Sequence, residues 1–455
     1  MLHLDVTDTL LNWSGAPTGV HRTLIGLASA AVTSGKGKLC AWRRETNHWH
    51  EVPLDVFLRV FVVEEDRKPD GLLDETLLQP LAEVRPRPLR DFLGKLRGRA
   101  RYVVPHGLLV ARSRMRESEA SLSPADITLG KWSEVHDMRM RELVELPLLP
   151  AWSAKDSLLI PDSTWNQPGF FSALKSLAAR PRVIGFIYDM IQLDRPDFVG
   201  EQVQAQFRIW AAEVARNSAE IVCISRHAAR GMQQFVDGMG LGAAAPSVRA
   251  IKFGNKIDDD LGSAAVEAAG CDLPGGLNGQ SGWILWLGSV DRRKNLDVVL
   301  LALEGLYASG RLGRKFVVAG RLAGGSEELI HRLRYNPLLR ERVVFFDAPS
   351  DRLVGQLLAG AELMVFSSWS EGYGLPVAEA LQHGVPVLAS SATSIPEVAG
   401  ELVDYFEPWD SRTLAEKLER FDSDESYRAD LKARAARFVP TSWDETLEDI
   451  QSGAQ

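Results

Sequence analysis

Five short apolar runs recur through the second half of the chain: WILWL (283–287), FVVA (316–319), VVFF (343–346), LMVF (363–366) and PVLA (386–389). Helical patterns lie between them. After the first run, Leu296, Val299, Leu300, Leu303 and Leu306 fall at helical spacing, with Asn295 as a candidate N-cap and Gly310 as a stop. Runs of four or five apolar residues leave no polar face, so each strand must be covered on both sides. Alternation with helices then makes them parallel strands of a doubly wound α/β sheet.

The first half carries a diluted form of the same pattern. LHLDV (2–6), VFLRVFVV (56–63), VIGFIY (183–188), IVCI (221–224) and VRAIKF (248–253) read as strands. Thr18 caps a predicted helix through Val20, Leu24, Leu27 and Ala31 that Gly35 ends. The expected organisation is an N-terminal domain over 1–257 with an insertion at about 65–150, then a Gly-, Ala- and Asp-rich linker over 258–282. A C-terminal domain follows over 283–440, and residues 441–455 form a last segment.

Composition closes off other classes. The 455 residues are 45% hydrophobic and 25% charged with a net charge of −8, which excludes an intrinsically disordered or collagen-like chain. No run approaches the roughly 18 apolar residues of a membrane-spanning helix. The start, MLHLDVTDTLLNW, lacks the basic segment and apolar core of a signal peptide. Cys40, Cys223 and Cys271 are too few and too scattered for a metal cluster and fit a reducing compartment. A cytoplasmic protein is the expectation.

Ligands of doubly wound sheets bind outside the carboxyl ends of the strands, so the residues that follow each strand carry the chemistry. After LMVF comes SSWSEGYGLPVAEALQHG, where Gly372 and Gly374 clear the backbone just before Pro376, a residue favoured in the first turn of a helix. Exposed N–H groups at such a helix start attract a phosphate. Glu379, one turn inside the helix, is placed to accept hydrogen bonds from ribose hydroxyls, and Glu371 stands on the loop before the glycines. After WILWL comes GSVDRRKN, where Arg292, Arg293 and Lys294 offer the charge and forked donors that hold a diphosphate. Taken singly, each of these has a bland alternative, a solvated acid or a basic turn. Together on one sheet they point to a nucleotide diphosphate. A nicotinamide dehydrogenase is disfavoured, since LHLDVTDTLLNWSGAPTG lacks Gly-x-Gly-x-x-Gly after the first strand.

GSVDRRKN and SEGYGLPVAEALQHGVPVLAS resemble the two donor-site motifs of family four of the retaining glycosyltransferases, whose hallmark is two glutamates separated by seven residues. The likeness is specific over about 283–440. Weaker similarity extends to GAPTGVHR (15–22), to YDMIQLDRPDF (188–198), which resembles members that build bacterial surface polysaccharides, and to CISRHA (223–228). The resemblance implies the GT-B fold, two facing Rossmann-like domains with a cleft between them, and a last helix over 441–455 that crosses back to the first domain. It implies that Glu379 binds the ribose, that Arg293 and Lys294 bind the diphosphate, and that Glu371 with the backbone of Gly372, Tyr373, Gly374 and Leu375 contacts sugar and phosphates. Thr18 and Gly19 would let the N-terminal loop approach the donor, and Tyr188 and Asp189 would sit near the reacting carbon. The sequence departs from many relatives at Ser289, where they carry Arg, at Tyr188, where they carry His, and at Gln192, where they carry Pro.

The expected activity is therefore retaining transfer of a hexose, mannose from GDP-mannose first, to a glycan or lipid-linked acceptor, without metal or other cofactor. A rhamnosyl or glucosyl donor and a non-catalytic scaffold subunit are the alternatives. The Asp-x-Asp look-alikes at Asp258–Asp260 and Asp422–Asp424 read as solvated acids. The segment 85–116 holds ten basic residues against Asp91. An anionic lipid surface or lipid diphosphate is the partner read from it, with a solvated basic insertion as the alternative, and nucleic acid is not expected.

Overall fold

The computed structural model describes residues 1–12, 18–60, 146–256, 277, 282–323 and 326–453, all within one compact unit. They build two sheets. The first holds β1 (Leu2–Asp5), β2 (Gly37–Arg43), β3 (His48–Val52), β4 (Ser157–Ile160), β5 (Arg182–Ile187), β6 (Glu220–Cys223) and β7 (Ser247–Ala250), in the order β3-β2-β1-β4-β5-β6-β7. Only the β2–β3 pair is antiparallel. The second holds β8 (Trp283–Leu287), β9 (Phe316–Gly320), β10 (Val343–Asp347), β11 (Ala361–Phe366), β12 (Val387–Ser390) and β13 (Asp404–Phe406), parallel throughout in the order β10-β9-β8-β11-β12-β13.

The apolar runs become strands for the reason their pattern suggested. Along β8, Ile284 and Trp286 enter one core while Trp283, Leu285 and Leu287 enter another on the opposite face. A strand buried on both sides has no use for a polar residue. The helix α4 (Leu296–Ala308) covers the first of these faces with Val299, Leu303 and Leu306 fully buried. Each such side chain contributes about 1.5–3 kcal/mol by leaving water.

The helix predicted after Thr18 is α1 (Gly19–Thr33), followed by Gly35 with φ +68°. Four further helices are α2 (Glu201–Asn217), which packs on the first sheet's core, α3 (Arg226–Gly238), α5 (Asp351–Gly360) and α6 (Leu375–Gln382). Two more, α7 (Ile395–Ala399) and α8 (Trp443–Ser452), follow. Ser442 and Glu445 start α8 reciprocally, Ser442 Oγ accepting the Glu445 N–H and Glu445 Oε2 accepting the Ser442 N–H. The Trp443 ring lies against Gly26 of α1 and Gly254, where a Cβ would come within 2.2 and 2.4 Å of it.

Two readings of local sequence are corrected. The run at 56–63 was expected as a strand, but Leu54–Arg59 is a helix. Pro53 sets its first turn, Phe57 is its buried contact, and Arg59 reaches back one turn to Asp55 at 2.7 Å. Asn295 precedes α4 but does not cap it with its side chain. It adopts φ +55° and donates to the Ser367 and Pro408 carbonyls, tying the loops after β8 and β11 together. Most of the expected linker and insertion lies outside the described residues. At the end of the insertion range, Leu149 N–H donates to the Trp49 carbonyl and Glu51 N–H to that of Pro147, extending the edge beside β3.

Candidate functional site

Strand order reverses direction between β8 and β11 in the second sheet and between β1 and β4 in the first. The crevice at such a switch point is where ligands enter. The loops after β8 and β11 meet there. Asp291 closes a turn by accepting the Lys294 N–H at 3.1 Å, which points Arg293 and Lys294 toward the β11 loop. Lys294 Nζ lies 2.6 Å and Arg293 Nη1 3.0 Å from Glu371 Oε1. Arg293 also donates to the Ser370 carbonyl at 2.7 Å.

Glu371 and Lys294 are both buried. Burial works against the Glu371 carboxylate, but Lys294 and Arg293 outweigh it and hold the group down at about 2. Burial lowers Lys294 as well, opposed by the attraction of Glu371. At neutral pH the cluster is a fixed anion flanked by two cations. An ammonium has three donors, and Glu371 takes one of those of Lys294.

The glycine loop follows directly. Thr393 Oγ1 accepts the Glu371 N–H at 2.9 Å, and Ser394 Oγ donates to the carbonyls of Glu371 and Tyr373 at 2.9 and 3.0 Å. Gly374 has φ +110°, which only glycine takes without strain. A Cβ on Gly372 would lie 2.5 Å from the Tyr188 carbonyl oxygen and 3.1 Å from Asp189 Cβ. The loop after β5 thus touches the loop after β11. Among the described residues, the N–H groups of Gly372, Tyr373, Gly374 and Leu375 meet no acceptor, and they stand at the start of α6.

Tyr188 and Asp189 are therefore beside Glu371 and Arg293. Burial raises Asp189, offset by the Ile191 N–H on Oδ1 and by Arg293. The Tyr188 hydroxyl turns the other way and donates to the Pro161 carbonyl at 2.8 Å, so its carbonyl, not its hydroxyl, faces the glycine loop. Thr18 and Gly19 stand at the start of α1. The Thr18 N–H donates to His21 Nδ1 at 3.1 Å, and burial lowers that imidazole to about 4. Gly19 faces Leu375, 3.5 Å from where its Cβ would be. Tyr373 sends its side chain away from the glycine loop to Phe253 and accepts the Asn255 amide at 2.8 Å.

Three features escaped the sequence. Arg22, from the first turns of α1, reaches across to Glu379 at 2.6 Å and Asp351 at 2.5 Å. Arg226 N–H, opening α3, donates to Glu397 of α7 at 2.6 Å. Asp5, Asp8 and Asp162 gather behind Tyr188, with burial and then Asp8 raising Asp162 to about 7. The motif GVHR contained the signal for Arg22, an arginine on the loop-facing turn. The acids had none, since Asp5 and Asp162 are far apart in the chain. Asp422 pairs with Arg314 at 2.8 Å and Asp424 caps a helix, so the second Asp-x-Asp look-alike is spent on structure. Asp258–Asp260 and the segment 85–116 lie outside the described residues.

Comparison with known proteins agrees with this geometry. Residues 261–438 match the family model described as "Glycosyl transferases group 1". The serotype-specific mannosyltransferase WbdA of Escherichia coli is 24% identical over 278 residues, 60% of this chain and 34% of WbdA. The O-antigen chain mannosyltransferase B of Escherichia coli is 29% identical over 164 residues, 36% of this chain and 43% of that one. The chain thus spans about a third of the length of the first of these relatives and under half of the second. Among solved structures, Anabaena HepE in complex with UDP and glucose superposes with a TM-score of 0.54 at 15% identity, covering 100% of this chain and 98% of that one. That likeness speaks to the fold alone. Two Rossmann-like sheets in the GT-B arrangement, with the glutamate pair and basic turn at the second switch point, thus accompany a match of residues 261–438 to the group 1 glycosyltransferases.

Proposed function

We propose that the protein is a retaining, metal-independent hexosyltransferase of polysaccharide biosynthesis, taking mannose from GDP-mannose to a glycan or lipid-linked acceptor. The observation that carries the reading is the Lys294–Glu371–Arg293 cluster at the mouth of the glycine loop, with Glu379 one turn into α6. The mannosyl assignment draws on the relatives' names and on the sequence of 188–198.

In such a transfer, the bond between the anomeric carbon and the diphosphate oxygen breaks. The acceptor hydroxyl oxygen bonds to that carbon, and its proton leaves with the diphosphate. Negative charge grows on the departing group. Arg293, the remaining donors of Lys294 and the free amides of Gly372 to Leu375 are aimed at that charge, and fixed dipoles that meet charge only as it develops lower the barrier. These groups fill the role a metal would have, so the reading includes no metal or cofactor. Glu371 orients the two cations and reaches the sugar, Glu379 takes the ribose hydroxyls in place of Arg22, and the Asp189 carboxyl and Tyr188 carbonyl line the reacting side.

Nucleotide-sugar transfer by the full chain tests this. Glu371→Ala and Lys294→Ala are each expected to lower transfer by more than about 100-fold while circular dichroism shows a folded protein. Full activity in either variant refutes the site. Thermal shifts with GDP, UDP and their sugars identify the nucleotide, because a ligand of the folded state raises its stability. UDP-glucose in place of GDP-mannose would select the glucosyl alternative. A cytoplasmic site of action, with 85–116 against anionic lipid, belongs to the same reading, and sedimentation with anionic vesicles at low salt checks it.

A further inference from the structure

A cavity of about 320 Å³ opens beside the cluster, within the roughly 300–1,000 Å³ range of small-molecule sites. Asp194 and Arg195 from the loop after β5 line one wall, and His227, Arg230 and Gln234 from α3 line another. Trp369 from the loop after β11 closes it, next to Ser370 and Thr393, the residues that flank and hold the Glu371 backbone. None of these lining side chains has a role in gripping a nucleotide in the reading above.

The charge of this wall is already balanced. Arg195 is forked onto Asp197, with bonds of 3.0 and 2.7 Å, and Arg230 shares Glu397 with Arg226, at 3.7 and 3.5 Å, so that Asp194 supplies the third carboxylate to these three arginines. Asp194 adds a carboxylate opposite His227. The arginines that line the space already face Asp197 and Glu397, so a phosphate or diphosphate would compete with those carboxylates and meet Asp194 as well. The hydrogen-bonding capacity, by contrast, is unspent. Among the described residues the side chains of Asp194, His227 and Gln234 make no hydrogen bond. Trp369 adds an aromatic surface, with the Arg195 guanidinium 5.8 Å from its ring centre, and Trp409 stacks on it at 6.2 Å with 24° between the planes. Trp409 is 68% exposed, so the aromatic surface runs from the cavity out to solvent. Spare acceptors and donors on a charge-balanced wall, beside a flat aromatic face, suit a ring that carries hydroxyls on its rim and C–H groups on its faces.

We infer that this cavity is the subsite for a neutral sugar ring of the acceptor, with Trp369 and Trp409 as the track along which a glycan extends. The inference rests on the transferase reading and names its acceptor as a carbohydrate chain rather than a bare lipid diphosphate. Asp194, His227 and Gln234 hold the ring's hydroxyls, and Trp369 sets the face that turns toward Glu371.

Calorimetry and saturation-transfer NMR on the full chain test it, with mannotriose, maltotriose, chitotriose and farnesyl diphosphate as probes and GDP and UDP titrated in parallel. At least one trisaccharide is expected to bind, with saturation transferred to its ring protons. Trp369→Ala is expected to weaken that binding about tenfold, a loss of about 1.4 kcal/mol. Trp369→Phe should recover most of it, and Gln234→Ala should weaken it about threefold. Nucleotide affinity should stay level in all three. Binding of farnesyl diphosphate with no trisaccharide bound overturns the inference, as does trisaccharide binding that is unchanged in Trp369→Ala. If nucleotides bind and no sugar does, the subsite fails and the transferase reading stands. If sugars bind and no nucleotide does, the transferase reading is the one that fails.

Discussion

Glu371 shows how much one position owes to its partners. An acid buried this deeply would ordinarily be driven to protonate, and Lys294 and Arg293 are the chief groups that keep it charged. Removing a partner is therefore costly. Lys294→Ala is expected to destabilise the protein by about 3 kcal/mol, since it leaves a buried carboxylate short of a counter-charge, and the shift in urea midpoint measures it. The pH dependence follows with a definite sign. With a folded value of about 2 against an unfolded value of about 4.3, Glu371 contributes up to about 3 kcal/mol above pH 4.3, lost as pH falls toward 2. Wild type should thus lose stability between pH 5 and 3 more steeply than Glu371→Gln, and parallel curves would refute the charge state. Both glutamates were legible from their spacing around the glycines. That Glu371 grips Lys294, 77 positions away, was not, because nothing in a linear sequence measures distance across a sheet.

At the scale of elements, the loop after β11 and the helix α8 both depend on missing side chains. Gly372→Ala would drive a methyl to 2.5 Å from the Tyr188 carbonyl, a backbone atom that cannot swing aside. It is expected to cut transfer at least about tenfold with a much smaller change in melting temperature, because the neighbouring loop can retreat but the site then opens. Gly26→Ala meets the Trp443 ring at 2.2 Å and should cost about 1–3 kcal/mol by overpacking, read from the urea midpoint with transfer chemistry spared. The buried strands β8 to β12 were readable because covering both faces leaves an unbroken apolar run. The edge strand β3 and the three-residue β13 were not, since an edge or short strand keeps polar residues. The segment 54–59 misled for the opposite reason. Its apolar residues suit a strand, but Pro53 and the Asp55–Arg59 pair favour one turn and a half of helix.

For the whole molecule, contacts between the two sheets' loops bring the candidate site together. Arg22 ties α1 to Glu379 and Asp351, Asn255 donates to the Tyr373 hydroxyl, and Glu397 receives the start of α3. The Arg22 contact uses the carboxylate that a ribose would need. Arg22→Ala should release Glu379, speed hydrogen exchange over 372–382 in the absence of nucleotide, and change the KM for the donor by several-fold. Unchanged exchange and KM would show that the pair is incidental. The sequence alone determined the α/β class, the parallel second sheet, the glycine-led start of α6 and the acids and bases around it, because burial on both faces and a sharp turn into a helix each demand local residue patterns. Only the tertiary structure decided which charges pair, which atom of Tyr188 faces the site and where a charge-balanced, aromatic-walled cavity opens. Those facts depend on the approach of segments 77 to 357 residues apart, which local patterns do not encode.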